Sequence, residues 1–499
     1  MTTIYQSAAP TGEAAPGIER STAEPVNARD ERPLYAPRVP IYPKRAQGPF
    51  RRVKWAVMAV TLGIYYLLPW LRWDRGPNLP DQAFLLDFAN QRLYMFGIEI
   101  WAQEFYFITG LLIISALALF LVTAVAGRVW CGYACPQTVW TDLMIAVEHF
   151  WQGDRNARMR LAKQRWTFEK IWKMTATHAS WILIGLATGG AFVFYFRDAP
   201  TLAMEFVNLE APFIAWLFVG IFAGTTYVLG GLAREQVCTY MCPWPRIQGA
   251  MFDEDSLLVT YRAYRGEPRG AHKKGESWEG RGDCIDCKQC VAVCPMGIDI
   301  RDGPQLECIQ CALCIDACDA IMEKVGRPKK LIAYDTFRNL DAASQGERAP
   351  MRIIRARTLL YAGVLLLVTV IMFIALSAKT VLDVNVQADR NPLFVQLSDG
   401  GIRNSYTVRI LNKQHEMRSF SLGIEGLPQA SLTVLGADGE GAPGIDVAPD
   451  NLRTLKAFVT VPRETARALG NQTEFEFVVR DLADGTATSR ETVFRGPDK

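Results

Sequence analysis

The stretch Cys284–Cys318 reads CIDCKQCVAVCPMGIDIRDGPQLECIQCALCIDAC and decides the fold of this chain. It contains two runs of four cysteines, and both runs have the spacing C-x-x-C-x-x-C-x-x-x-C. A metal–sulfur cluster needs thiolates that converge on one point, so each run provides three from a tight loop and one from a distance. The stretch therefore predicts two such centres.

Two consecutive runs of this spacing are typical of a bacterial-type ferredoxin module with two 4Fe-4S clusters. In that module the fourth cysteine of each run binds the other cluster. The predicted ligands are Cys284, Cys287, Cys290 and Cys318 for the first cluster, and Cys308, Cys311, Cys314 and Cys294 for the second. Pro295 follows the first run, whereas Asp319 follows the second. Because this proline shapes the loop and is not a ligand, the two ligand sets are unaffected.

Zinc sites and disulfides are the alternatives for these cysteines. Zinc takes four ligands in tetrahedral geometry, which explains a single C-x-x-C pair but not the repetition of the same four-cysteine run. Disulfides are rare in the reducing cytoplasm, where the predicted topology places this stretch. Both alternatives are therefore disfavoured.

The composition indicates membrane segments joined to soluble parts. The chain has 499 residues, too many for one domain; half are hydrophobic and 21% are charged. Its basic clusters flank apolar runs and lack a nucleic-acid-binding signature, so no nucleic acid partner is expected. Residues 1–40 have no apolar periodicity and are predicted to form a disordered arm, dispensable for chemistry and without a cleavable signal peptide.

Five apolar runs are long enough to span a bilayer, so membrane lipid is an expected partner. They are approximately Trp55–Leu71, Phe105–Ala126, His178–Phe196, Phe213–Leu232 and Thr358–Leu376. A further apolar segment, Val139–Trp151, includes Asp142, Glu148 and His149. We assign it to an interfacial helix, with a partly inserted sixth segment as the alternative.

Basic residues predict the orientation of the spans. Residues 44–54 carry five basic groups, 152–173 carry seven, and 327–357 carry eight, whereas 197–210 carry one. The positive-inside rule then places the N-terminus and residues 233–357 in the cytoplasm and the tail beyond about 380 outside. The predicted domains are a membrane domain (41–250), a cytoplasmic α+β ferredoxin domain (251–340), a last span (350–378) and an exported domain (380–499).

The exported tail is predicted to be all-β. Its β-prone runs are Ser405–Leu411, Ser419–Ile424, Ser431–Leu435, Leu455–Val461, Glu474–Val479 and Thr486–Phe494. Turn residues separate these runs at a spacing that favours an immunoglobulin-like sandwich. His415 is interpreted as a solvated loop residue. The whole chain is thus predicted to be a helical membrane bundle with an inserted two-cluster ferredoxin module and a C-terminal sandwich.

The remaining four cysteines form a second pair of motifs. Cys131-Gly-Tyr-Ala-Cys135-Pro follows the second span, and Cys238-Thr-Tyr-Met-Cys242-Pro follows the fourth. Each is preceded by an arginine, Arg128 or Arg234, which indicates an internal repeat of helix and dithiol loop. Cysteines four apart lie on one side of a helical turn, so each pair can present two soft ligands in one direction.

Three interpretations of these dithiol motifs stay open. The cysteines are buried apolar residues, a four-thiolate site for another metal centre, or a paired thiolate site for Cu(I). In the copper case Met144 and Met241 are candidate thioether ligands, although core packing or lipid contact explains them more simply. Haem is disfavoured because His149 and His178 stand on different segments.

Several segments resemble the CcoG/FixG/RdxA family of cytochrome c oxidase accessory proteins of Gram-negative bacteria. They are Ile41-Tyr42-Pro43, LPWLRW at 68–73, GRVWCGYACPQTVW at 127–140, and the double cluster run. The resemblance implies a bacterial inner-membrane cupric reductase that delivers Cu(I) for assembly of cbb-type oxidase. It further implies eight cluster cysteines, and a catalytic copper site at Cys131, Cys135, Cys238 and Cys242. The implied partners are the oxidase assembly machinery and copper chaperones.

Two other functions compete with cupric reduction. In our main hypothesis an unknown cytosolic donor reduces the clusters, which pass electrons to copper at the dithiol loops. A membrane quinol dehydrogenase resembling NapH-type ferredoxins shares both kinds of cysteine motif. A non-catalytic oxidase assembly factor, in which the clusters only sense redox state, is the third class.

Overall fold

The computed structural model describes residues 20–26, 39–76, 79–273, 275–379, 382–435, 444–449 and 451–496. Its internal contacts divide the chain into two units. The first comprises Met1–Asp74 and Pro80–Met372, and the second comprises Arg75–Leu79 and Phe373–Lys499. The units are a membrane and ferredoxin part and an all-β domain.

Five helices in the described part of the chain are long and apolar enough to cross a membrane. They are Pro49–Trp70, Ala102–Ala126, Phe168–Val193, Phe213–Ala233 and Ala356–Ser377. The third begins earlier than predicted, at Phe168, because Thr167 caps its first turn by accepting from the Lys170 amide (3.3 Å). The predicted multi-domain membrane fold with about five spans is confirmed.

Shorter elements connect these spans. In chain order the first unit begins with α1 (Pro49–Leu67), β1 (Phe84–Asp87), β2 (Arg92–Met95), β3 (Ile98–Trp101), α2 (Tyr106–Ala126), α3 (Val129–Tyr133), α4 (Pro136–Trp151), α5 (Arg155–Lys163), α6 (Phe168–Val193), α7 (Ala199–Val207), α8 (Phe213–Thr225) and α9 (Trp244–Gly249). α8 continues into a π-helical segment, Thr226–Ala233, and a second π-helical turn covers Val237–Met241. The predicted interfacial helix is α4. The antiparallel sheet β1–β2–β3 was not predicted, because its strands are only four residues long.

The ferredoxin module is a small α+β unit whose first and last strands pair with each other. It contains β4 (Leu258–Tyr261), α10 (Ala263–Gly266), α11 (Gln289–Ala292), α12 (Leu313–Lys324), β5 (Ile332–Asp335) and α13 (Phe337–Ser344). β4 and β5 pair antiparallel, with Leu258 opposite Asp335. Since β4 precedes and β5 follows all eight clustered cysteines, this pairing closes the module around them.

Residues 20–26 correct the expectation of a disordered arm over 1–40. The Ser21 amide donates to the Cys287 carbonyl (3.0 Å), and the Val26 amide donates to the Gly297 carbonyl (2.8 Å). Ala23 is 2% exposed and packs in the same apolar cluster as Cys284. This short segment is held by backbone pairing, which needs no apolar periodicity. The remainder of the arm, 1–19 and 27–38, lies outside the described residues.

The second unit is a sandwich of two antiparallel sheets that follows α14 (Ala356–Ser377). Its elements are β6 (Leu382–Ala388), β7 (Val395–Gln396), β8 (Ile402–Asn412), β9 (Arg418–Glu425), β10 (Ser431–Val434), β11 (Ile445–Val447), β12 (Asn451–Val461), α15 (Arg463–Ala468), β13 (Gln472–Asp481) and β14 (Ala487–Arg495). One sheet has the order β10-β12-β8-β6, with β7 paired to β8, and the other has the order β11-β9-β13-β14. Every predicted strand is present, and β6, β7 and β11 are additional.

Asp316 of α12 joins the ferredoxin module to the first membrane helix. Its carboxylate accepts from the backbone amides of Phe50 (3.2 Å) and Arg51 (2.7 Å), at the N-terminus of α1. A Cβ atom on Gly48 would lie only 2.3 Å from the Asp316 Cγ atom, so a side chain there would break this contact. The N-terminal amides of α1 therefore find their acceptor in another domain.

Replacement of Asp316 by alanine removes both acceptors, and we expect a loss of about 1 kcal/mol, typical of a lost helix cap. The measurement is the thermal unfolding midpoint of the purified protein in detergent. Asp316→Asn keeps one acceptor oxygen and should fall between the wild type and Asp316→Ala. Equal midpoints for all three proteins would contradict the capping role.

Candidate iron–sulfur and dithiol site

The two cluster loops repeat the same backbone conformation. In the first loop Asp286 and Lys288 have positive φ angles of 52° and 53°, and in the second Gln310 and Ala312 have φ angles of 57° and 61°. These residues flank the second cysteine of each run on both sides. Non-glycine residues adopt this left-handed conformation rarely. Its recurrence at equivalent positions indicates that both loops are shaped for the same kind of ligand.

The eight clustered cysteines divide between two cavities. One is lined by Cys284, Cys287, Cys290 and Cys318, and the other by Cys294, Cys308, Cys311 and Cys314, with Cys290 also at its edge. The structure thus brings together the two sets of four that the spacing predicts. The assignment of each set to one cluster stays a prediction.

The donor atoms in these cavities fit iron–sulfur clusters. Among the described residues, no three His, Cys, Asp or Glu side chains are arranged to hold a single metal ion. A 4Fe-4S cluster instead needs four thiolates spread around a cavity, because each binds a different iron. When bound, the clusters would supply one-electron redox centres. Burial raises the pKa of Cys294 to about 12 and that of Cys308 to about 11, so both thiols are protonated until metal binds.

The two dithiol motifs share a local design. In each, the first cysteine lies in a helical turn, Cys131 in α3 and Cys238 in the π-helical turn. The second cysteine is extended, with ψ angles of 129° at Cys135 and 121° at Cys242. This follows from the proline after each second cysteine, which disfavours helical geometry in the residue before it.

The two dithiol motifs lie close together, since Cys131 and Cys238 pack in the same apolar cluster. Burial, with the nearby Cys135, Cys131 and Cys242, raises the pKa of the Cys238 thiol to about 12. Burial also raises the pKa of Cys131, while the Arg128 guanidinium lowers it. Each cysteine therefore lies within electrostatic reach of cysteines from the other motif. The sequence left open whether the two loops meet, and the structure brings them together.

The dithiol site adjoins the second cluster cavity. Cys131 packs with Cys311 in one apolar cluster, against which Cys238, Cys294, Cys308 and Cys314 also pack. A Cβ atom on Gly132 would lie 2.7 Å from the Ile309 carbonyl oxygen and 3.1 Å from the Cys311 Cα atom. Glycine at position 132 thus permits the first dithiol motif to touch the second cluster loop.

Arginines before the motifs fix both loops. The buried Arg128 guanidinium donates to the carbonyls of Leu306 and Cys308 (2.9 Å for the latter), and its amide donates to Gln310 Oε1 (2.9 Å). Arg234 pairs with Glu148 of α4. The sequence drew attention to both arginines, but nothing in it distinguished Gln310 as the neighbour of Arg128.

Gln248 is a site residue that sequence reasoning missed. It is fully buried, its Oε1 accepts from Cys131 Sγ (3.1 Å), and its Nε2 donates to Thr123 Oγ1 (3.1 Å). The amide side chain therefore ties the thiol to the end of α2. A glutamine six residues after Cys242 carries no motif signal, so only the folded chain identifies it.

The other candidate ligands have separate environments. Met144 is fully buried beneath Trp181, whose Nε1 donates to the Met144 carbonyl (3.1 Å), whereas Met241 is 64% exposed. His149 Nε2 lies 3.0 Å from the Pro43 carbonyl oxygen, and His178 Nδ1 lies 2.9 Å from the Tyr227 hydroxyl. The two histidines therefore contact different partners.

Comparisons with known proteins match three regions of the chain. Residues 233–337 match a 4Fe-4S dicluster domain, 108–152 match a 4Fe-4S binding domain, and 372–497 match the Ig-like fold at the C-terminus of FixG. The chain is 54% identical over 477 residues to the nitrogen fixation protein FixG of Rhizobium meliloti, covering 89% of this chain and 91% of FixG.

Two proteins of Cereibacter sphaeroides are similar to a comparable extent. RdxB is 51% identical over 468 residues, covering 93% of this chain and 97% of RdxB. RdxA is 50% identical over 472 residues, covering 93% of this chain and 99% of RdxA. The similarity thus includes the membrane helices, both kinds of cysteine motif and the β domain.

Pairs of substitutions test which cysteines share a cluster. Cys318→Ser should remove one cluster, or about half of the roughly eight iron atoms of a two-cluster module. Adding Cys287→Ser should cost no further iron, because both cysteines line the same cavity. Adding Cys311→Ser instead should remove nearly all iron. Iron analysis of anaerobically purified protein measures this, and the reverse pattern would refute the crossed pairing.

Residues 20–26 should protect the first cluster loop from solvent. Ala23→Glu places a charge in a buried apolar site, which is unfavourable and should displace the segment from Cys287. We expect the visible absorbance of the clusters to bleach several-fold faster in air. Thr22→Glu, at the exposed neighbouring position, is the matched control and should bleach like the wild type. Equal rates for both variants would restore the view that this arm is dispensable.

Proposed function

The chain belongs to the FixG/RdxA family of membrane iron–sulfur proteins, and on this basis we propose that it reduces Cu(II) to Cu(I) for assembly of a cbb-type cytochrome c oxidase. Its matched domains make it an iron–sulfur, oxidoreductase-like membrane protein. Copper is the substrate we propose, and the oxidase is the proposed destination of the Cu(I).

One observation carries the proposal: the two repeated dithiol loops lie together beside the second cluster cavity, where Cys131 and Cys238 pack in one apolar cluster with the cysteines of that cavity. Thiolates are soft ligands that prefer Cu(I), and binding them raises the reduction potential of copper. Each Cu(II) ion takes up one electron and stays bound to sulfur as Cu(I). A cytosolic reductant donates this electron.

The residues around the thiols suit this chemistry. Copper must displace protons from buried cysteines, because burial holds their pKa values above the usual range. Arg128 places a positive charge near Cys131, which favours the thiolate form there. Gln248 accepts from the Cys131 thiol and so orients it while copper is absent. The chain thus holds the thiols in position before the substrate arrives.

The proposal includes a location and partners. Basic residues before α1, in α5 and before α14 favour a cytoplasmic position for the ferredoxin module in a bacterial inner membrane. The β domain would then lie in the periplasm. The proposed partners, which would receive Cu(I), are the oxidase assembly machinery and copper chaperones.

The decisive variant is Cys131→Ser with Cys135→Ser. We expect it to lose Cu(II) reduction almost completely while keeping the iron content and paramagnetic signals of both clusters. Reduced protein is mixed with Cu(II), and Cu(I) is followed with a chromogenic chelator. Thr239→Ser is the matched control in the other dithiol loop, because it keeps the hydroxyl that donates to the Glu235 carbonyl (2.9 Å), and it should keep full activity.

Three results would contradict the copper proposal. Full Cu(II) reduction by the double serine variant would remove the dithiol loops from the reaction. Re-oxidation of the reduced wild-type protein by a quinone, but not by Cu(II), would favour a quinol dehydrogenase instead. A gain of about four iron atoms above the two-cluster content, lost in the serine variant, would assign the four thiols to a third cluster.

A further inference from the structure

A cavity of about 800 Å³ lies between the start of α1, the helix α4 and the ferredoxin module. It is separate from the cluster cavities and from the dithiol site. Its lining comes from residues 43–48, from α1 and α4, and from the two cluster loops. A volume of this size is typical of sites for small organic ligands.

The cavity carries an excess of positive charge. Lys44, Arg45, Arg51 and Arg52 line it, and Asp142 is its one lining carboxylate among the described residues. Asp142 does not neutralise the other three cations, because its carboxylate pairs with Arg51 (2.8 Å) and with Lys54 (3.5 Å).

The other cations of the cavity lack such compensation. The Lys44 ammonium donates to the neutral Gln289 amide (3.1 Å), and the Arg45 guanidinium donates to the His149 carbonyl (3.5 Å). Within the described ranges, no carboxylate forms a salt bridge with the side chains of Lys44, Arg45 or Arg52. Two nearby carboxylates already accept from backbone amides, Asp154 from Arg45 and Asp316 from Phe50 and Arg51. A ligand in this cavity therefore needs negative charge.

The cavity also has an apolar side near the start of the first candidate span. Trp55 is 41% exposed and Phe150 is 76% exposed, and both stand beside the basic residues. Arg51, Arg52 and Trp55 lie in the first two turns of the first candidate span, where basic and aromatic residues mark the membrane–water interface. The ligand therefore needs a charged end and an apolar end.

We propose that this cavity binds the head group of an anionic phospholipid. The phosphate accepts charge-assisted hydrogen bonds from Arg45, Arg52 and Lys44, while the acyl chains run along Trp55 and Phe150 into the bilayer. A neutral quinone would leave three cations without a counterion. Free phosphate would leave the aromatic side of the cavity without a partner.

Such a lipid would fasten the ferredoxin module to the membrane helices. Val293, Pro295 and Leu313 line the cavity from the module, next to the second-cluster cysteines Cys294 and Cys314. A bound head group would therefore contact α1, α4 and the cluster-bearing loops at once. This lipid site is independent of what the dithiol motifs reduce.

The test uses the purified full-length protein in neutral detergent. Phosphatidylglycerol and phosphatidylcholine with identical acyl chains are titrated, and lipid adducts are counted by native mass spectrometry. The variant Arg45→Gln with Arg52→Gln removes two of the uncompensated cations. Arg160→Gln with Arg165→Gln removes two exposed basic residues that do not line the cavity, and is the matched control.

We expect one tightly bound phosphatidylglycerol, with binding weakened about tenfold or more in Arg45→Gln with Arg52→Gln and unchanged in the control. Iron content confirms that both variants are folded. Equal weakening in both variants, or equal binding of phosphatidylcholine, would overturn the site. Competition by inorganic phosphate at the same concentration would show a soluble anion site instead, and displacement by a quinone analogue would show a quinone site; either would overturn the proposal.

Discussion

The contact between the buried Arg128 guanidinium and the carbonyls of Leu306 and Cys308 is the interaction on which the site depends. It joins the residue just before the first dithiol motif to the second cluster loop, which is distant in sequence. A buried cation is costly unless its hydrogen bonds are made, so the arginine holds these carbonyls in one arrangement. Gly132 then permits the backbones to approach as closely as this arrangement requires. The proximity of thiols and cluster loop is thus set by polar contacts, which specify position more narrowly than apolar packing does.

Helix α4 also holds the dithiol motifs in position, through buried ion pairs. It begins directly after Cys135, and near its end the buried Glu148 pairs with Arg234, four residues before Cys238, and with Arg158. Burial alone would raise the pKa of Asp142 on the same helix, but Lys54 and Arg51 offset this and hold the pKa below its usual range. Buried ion pairs add little net stability, because desolvation offsets the attraction between the charges. We infer that these ion pairs instead fix the position of α4 relative to both dithiol motifs.

The sequence identified the features that depend on local pattern. Cysteine spacing defined the two sets of four, hydropathy found the spans, and alternation found six strands of the sandwich. It missed features that arise from contacts between distant segments, such as Asp316 at the N-terminus of α1 and Gln248 beside Cys131. It also missed residues 20–26, because backbone pairing with Cys287 and Gly297 leaves no apolar periodicity to detect. The charges in Val139–Trp151 favoured an interfacial helix over a sixth span, which stays a prediction, and their ion-pair partners could not be read from the pattern.

The charge balance of the dithiol site concerns Arg128, whose single positive charge lies beside the thiols. Neighbouring thiolates repel one another, and burial with this repulsion raises the pKa values of Cys131 and Cys238, so both favour the protonated thiol when no metal is bound. On the copper proposal, a Cu(I) ion bound by two thiolates has a net charge of −1, which the Arg128 guanidinium can balance. Cu(II) in the same two-thiolate site would be neutral and would leave the arginine uncompensated. The fixed cation therefore favours the reduced ion through its charge, whereas the sulfur ligands favour it through their softness. Both effects act on a site that the polar contacts of Arg128 and α4 hold in place.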